Sequence, residues 1–147
     1  MKLQYLLFTI FKLPSVWLMG IRVKSISEKS ATVKVKHRWI NQNPFNSMFW
    51  AVQGMAAELA TGVLLTSAIR ESGAKISMLV LNNKANFSKK ATGRISFQCD
   101  QGLEVKAAVA KTVETGASQT IWMDATGTDE QGDVVSHFSF EWTLLKK

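Results

Sequence analysis

Between Arg38 and Arg70 the chain carries one charged side chain, Glu58. The run between them, WINQNPFNSMFWAVQGMAAELATGVLLTSAI, is otherwise neutral and mostly apolar or small. From about residue 47 to residue 70 it predicts one helix that is apolar nearly all round, and such a helix has to be enclosed by the rest of the chain. A carboxylate inside it loses hydration, so it is paired with one of the 18 basic residues, held protonated, or put to use. Ala51, Gly54, Glu58 and Gly62 recur at turn spacing and make a narrow strip along which another backbone or a ligand can come close. Each internal glycine costs about 1 kcal/mol against alanine, for which a close packing contact is the expected compensation. Asn46 or Ser47 is placed to cap the first turn, and Gly73 to end the last.

What encloses the helix is legible on either side of it. Residues 21–26 and 32–39 alternate in polarity around a polar turn and read as a hairpin, with Val33, Val35, His37 and Trp39 on the apolar face. Residues 75–87 and 94–99 read as strands around a turn at 89–93. Val105, Ala108, Val109 and Val113 are spaced for a short helix, with Asp100 as cap and Gly116 as terminator. Residues 119–128 and 134–145 form a last hairpin, in which Phe138, Phe140, Trp142 and Leu144 share a face. An antiparallel sheet needs a cover for its apolar side, and the central helix is the one element long and apolar enough. The expected class is therefore α+β: a curved antiparallel sheet wrapped around one long buried helix, in a single domain over residues 1–147.

Composition narrows the function classes. A net charge of +7 favours anionic partners, yet the basic residues form no nucleic-acid motif and no base-stacking aromatic stretch, so no nucleic-acid partner is expected. The single cysteine, Cys99, excludes an internal disulfide, and with two distant histidines there is no local metal cluster. The apolar N-terminal run is interrupted by Lys12 and Pro14 and is followed by no clear small-residue cleavage site, which favours a cytoplasmic protein. Leu3, Leu6, Leu7, Ile10 and Phe11 fall at helical spacing, giving an amphipathic helix expected to dock on the body of the protein rather than on a membrane.

The order of elements and residues 43–62 together resemble the hotdog-fold acyl-CoA thioesterase superfamily, most of all its phenylacetate-pathway type and relatives of unassigned function. In that type an Asn opens the loop, a Gly-x-x-His-Gly-Gly motif follows, and six residues later an acid stands in the central helix. Here Asn43 holds the Asn position, Asn46 stands at the first Gly, and Phe49, Trp50 and Ala51 stand at His-Gly-Gly. Six residues on, Glu58 falls at the acid without a gap.

The resemblance implies a thioester hydrolase in which Glu58 activates water or attacks the carbonyl, and Asn43 positions the water or the carbonyl. The backbone N–H groups at Trp50 and Ala51 would stabilise the oxyanion. Phe49, Trp50 and Met55 either line an acyl pocket or pack as ordinary core. Lys89, Lys90 and Arg94 either hold the phosphates of coenzyme A or form a solvated turn. No cofactor is implied beyond the coenzyme A of the substrate. The expected partners are an acyl-CoA or another acyl thioester and a second copy of the chain, in a homodimer or dimer of dimers. The alternative is a hotdog protein that binds acyl chains or CoA esters without cleaving them, which the bulky Phe49 and Trp50 favour. A third reading is a basic protein acting at an anionic membrane through its N-terminal helix.

Overall fold

The computed structural model describes residues 3–147. Two short helices open the chain, α1 (Leu3–Lys12) and α2 (Pro14–Leu18). Strands β1 (Arg22–Ile26) and β2 (Ala31–Lys36) lead to the long helix α3 (Trp50–Ser72). Then come β3 (Ile76–Phe87), β4 (Arg94–Cys99), α4 (Gly102–Thr115), β5 (Gln119–Thr128) and β6 (Val134–Lys146). The six strands form one antiparallel sheet in the order β1-β2-β4-β5-β6-β3. It wraps around α3, and this is the hotdog arrangement that the charge-poor helix demanded.

The core is the contact between the concave face of the sheet and α3. Val33 and Val35 on β2, Ile95 and Phe97 on β4, Met123 and Ala125 on β5, and Phe138, Phe140, Trp142 and Leu144 on β6 are all buried against it. The α3 residues that meet them include Val52, Ala56, Ala60, Val63, Leu64 and Leu65. Helix α4 adds Val105 and Val109 to this layer. Gly73, at φ 71°, ends α3 in the left-handed region, where a glycine carries no Cβ penalty.

Several local expectations are corrected. α3 begins at Trp50, with Phe49 as its N-cap and no side-chain capping bond, so neither Asn46 nor Ser47 caps it. The reason is the preceding loop. Asn43 Oδ1 accepts from the N–H of Phe45 at 2.9 Å and of Ser47 at 3.3 Å, and Asn46 turns the chain at φ 56°. Asp100 does not cap α4; it accepts instead from Gln98 Nε2 at 2.7 Å, and Gln101 stands at the cap. β2 stops at Lys36, so Trp39 leaves the apolar face for a short 3-10 turn and is 82% exposed. His37 is half-buried, and its Nε2 lacks a partner among the described residues.

α1 does dock on the body, but not through the apolar stripe read from the sequence. Its buried residue is Thr9, flanked by the half-buried Tyr5 and Phe8, whereas Leu3, Leu7 and Phe11 face solvent. The outermost strand β3 has one free edge and carries the exposed Leu79, Leu81 and Phe87.

Candidate active site

α3 is enclosed on all sides but one. Trp50, Ala51, Gly54, Met55, Glu58, Gly62 and Thr66 form a strip, spaced by about one turn, that the sheet and α4 leave partly or fully open. Glu58 is therefore not sealed in the core, as its apolar neighbours in sequence suggested; it is the one carboxylate on an open apolar strip.

The part of that strip from Met55 through Glu58 and Gly62 to Thr66 forms the floor of a chamber of about 250 Å³. α1 and α2 contribute Phe8, Leu13 and Val16 to its walls, α3 contributes Met55, Leu59 and Val63, and the sheet contributes Met78 and Trp142. An apolar cavity of ~150 Å³ is enough to hold benzene, so this one has room for an aryl or short acyl group. Glu58 lies in the chamber with no salt-bridge partner among the described residues. Its apolar surroundings strip water from the charged form and raise its carboxyl pKa above the ordinary 4.5. Of the alternatives left by the sequence, pairing with a basic residue is thus not seen among the described residues.

The two glycines of the strip are not explained by close packing within the chain. A methyl group on Gly62 would meet Trp142 Cζ2 at 3.8 Å, and one on Gly54 would meet Phe138 Cε1 at 3.5 Å, both ordinary contact distances. What the absent side chain of Gly62 leaves clear is the chamber floor beside Glu58.

A second hollow of about 590 Å³, wide open to solvent, lies at the N-terminal end of α3. Asn43, Phe45, Phe49, Trp50, Gln53, Phe87, Lys89 and Lys90 line it. The amides of Trp50 and Ala51 have no acceptor among the described residues, so the helix start offers free donors backed by the helix dipole. The Asn43 side chain is occupied by its own loop, donating to Ser47 Oγ at 2.9 Å and accepting the two amides already described.

The candidate residues are thus divided between two places. Glu58 and Met55 belong to the chamber, whereas Asn43, Phe49, Trp50, Lys89 and Lys90 belong to the open hollow. Seven residues of helix separate Ala51 from Glu58, about 10 Å along the axis. Lys89 is held by Asp129 at 2.6 Å and Asp133 at 2.8 Å. These bonds raise the pKa of Lys89 and lower that of Asp129. Lys90 lies over the Phe45 ring, 5.9 Å from its centre. Arg94 points from the outer face of the sheet, paired across strands with Lys36 and away from both cavities.

Gln53 escaped the sequence reading. It is 4% exposed, it lines the open hollow, and its Oε1 has no partner among the described residues. The signal that marks it is its position, as the one amide side chain in α3. The walls supplied by α1 and α2 were missed as well, because nothing in a helical repeat says which core it will cover. Cys99 offers no competing nucleophile: burial pushes its thiol pKa up to about 11.

Residues 3–144 match the family described as "Domain of unknown function (DUF4442)". No curated protein matches. Among solved structures, a Pseudomonas aeruginosa protein of unknown function, described as a probable thioesterase, superposes with a TM-score of 0.82 at 20% identity, over 95% of this chain and 92% of that one. A protein of unknown function from Chlorobaculum tepidum TLS gives 0.84 at 16% identity, over 98% and 93%. A variant of a thioesterase enzyme from Staphylococcus aureus subsp. aureus Mu50 gives 0.72 at 13% identity, over 90% and 98%. At such identities the likeness establishes the thioesterase-like hotdog fold.

Proposed function

This chain belongs to the family described as a domain of unknown function (DUF4442), and we propose that it hydrolyses acyl thioesters at Glu58. One observation carries the reading: Glu58, the one carboxylate on the open strip of α3, faces an apolar chamber that raises its pKa, with no cation paired to it among the described residues. A base with a raised pKa is better matched to proton transfer near neutral pH than an ordinary glutamate. In the proposed reaction Glu58 takes a proton from water as the water oxygen bonds to the thioester carbon. The tetrahedral intermediate then collapses, the C–S bond breaks, and the proton passes from Glu58 to the departing thiolate. Direct attack by Glu58 is the covalent variant, with an acyl-enzyme anhydride that water resolves. The acyl group occupies the chamber. Coenzyme A is the proposed thiol carrier, entering only as part of the substrate.

The free amides of Trp50 and Ala51 are the proposed oxyanion donors, but within one chain they serve the other hollow. We infer that a homodimer completes the site. β3 supplies the means: an edge strand of 12 residues, ~40 Å long, whose apolar stretch from Met78 to Leu81 would otherwise leave an exposed edge. Sedimentation is expected to show a dimer that Leu79→Lys with Leu81→Lys dissociates, both residues being solvent-exposed in the single chain. A stable wild-type monomer contradicts the shared site.

Thiol release from a panel of acyl-CoAs tests the reading, and Gly62→Ala sharpens it. The methyl group removes glycine's helix penalty, so stability is expected to rise by up to about 1 kcal/mol. The same methyl narrows the chamber floor, so KM for bulky acyl groups is expected to rise while small acyl groups are unaffected. A parallel loss for every acyl group would place the substrate elsewhere. The second reading, an acyl-thioester binder without hydrolysis, is favoured by the use of the Asn43 side chain within its own loop. Retention of intact acyl-CoA without thiol release would identify it.

A further inference from the structure

α1 is apolar on its outer side as well as its inner one: Tyr5, Phe8 and Thr9 face the protein, while Leu3, Leu7 and Phe11, one turn apart, face outward at 67%, 44% and 74% exposure. The row continues into α2, where Leu18 and Trp17 are also exposed. The segment itself is cationic, although Glu28 and Glu71 approach the protein-facing side of α1 at Tyr5. The first 27 residues carry Lys2, Lys12, Arg22 and Lys24 and neither Asp nor Glu. The Arg22 guanidinium lies 5.2 Å from the centre of the Trp17 ring and donates to the Trp17 carbonyl at 2.8 Å, which fixes a cation beside the apolar row.

We propose that α1 and α2 dock this protein on an anionic lipid surface, with Leu3, Leu7, Phe11 and Leu18 entering the acyl region. Lys12 and Arg22 then meet the headgroup phosphates. An apolar stripe in a segment whose own charges are all basic is the composition of an interfacial helix, and tryptophan beside arginine suits the headgroup level. A second copy is the poorer occupant, because stripe-to-stripe pairing would bring the same cations together with no acid from this segment between them. The opposite side of these helices supplies Phe8, Leu13 and Val16 to the chamber beside Glu58. An acyl chain held in a bilayer would therefore lie about one helix diameter, ~10 Å, from that chamber. This last consequence rests on the hydrolase reading; the docking does not.

Vesicle flotation without substrate tests the docking independently of hydrolysis. The full chain is expected to float with vesicles of phosphatidylcholine mixed with phosphatidylglycerol, to float poorly with phosphatidylcholine alone, and to be released by high salt. Leu7→Gln with Phe11→Gln changes only exposed side chains, so folding by circular dichroism should be unchanged while partitioning falls about tenfold or more. Lys12→Glu with Arg22→Glu should weaken binding to the anionic vesicles alone. Failure of the wild type to float at low salt overturns the proposal. So does undiminished floating of the Leu7/Phe11 variant. A change in sedimentation with no change in flotation in that variant would make a second copy the occupant and also overturn it.

Discussion

Replacing Glu58 by glutamine is expected to lower thioester turnover by about a hundredfold or more while making the protein more stable at neutral pH. The two effects share one cause. The apolar chamber raises the carboxyl pKa above its ordinary 4.5, so the ionised form is less favourable in the folded chain than in the unfolded one. At pH above the folded value the wild type carries that full penalty, and the neutral amide does not. As the pH falls through the folded value toward 4.5, the folded state takes up its proton first and the penalty shrinks. Below 4.5 both states are protonated and the stability difference between wild type and variant vanishes. Urea denaturation at about pH 7 and about pH 4 measures both ends of this curve. A glutamine variant less stable than wild type at neutral pH would mean that Glu58 is held by a favourable partner in solution. Hydrolysis by the wild type should lose its base on an acid limb centred above 4.5.

Trp142→Ala is expected to give the largest loss of stability. The side chain is 5% exposed, forms part of the chamber, and lies opposite Val80 on β3 and Ile121 on β5. Its Nε1 donates to Thr61 Oγ1 at 3.0 Å, and Thr61 in turn donates to the Glu58 carbonyl at 2.8 Å. Truncation removes the ring and leaves a void, at a cost of about 3–5 kcal/mol, a large share of the 5–15 kcal/mol typical of a domain. The urea midpoint should fall with an unchanged slope. No donor is stranded, since Thr61 keeps its carbonyl acceptor. Trp142→Phe should cost less because most of the ring remains. If the chamber holds the acyl group, either variant should shift the acyl preference toward bulkier substrates.

The parts of this structure that sequence made legible are those in which burial and period agree. In β6, Phe138, Phe140, Trp142 and Leu144 alternate with more polar residues, so one face had to be core, and it is. α3 was marked by its missing charges. α1 was harder: Tyr5, Leu6, Leu7, Phe8 and Ile10 leave it apolar on most sides, and periodicity says which residues share a face, not which face meets the protein. The role of Asn43 was hidden in the same way, since an asparagine that orders a loop and one that awaits a ligand look alike until its hydrogen bonds are traced. Glu58 was found by its isolation in sequence. Its exposure along an open strip depends on how far β3 and the N-terminal helices reach over α3, and no local pattern encodes that.

The most direct test of the central claim is thiol release from a panel of acyl-CoAs, followed across pH for the wild type beside Glu58→Gln. A glutamate base predicts release by the wild type with an acid limb above 4.5, and a loss of about a hundredfold or more with no such limb in the variant. Equal release by both proteins, or binding of every acyl-CoA with release of none, would contradict hydrolysis at Glu58.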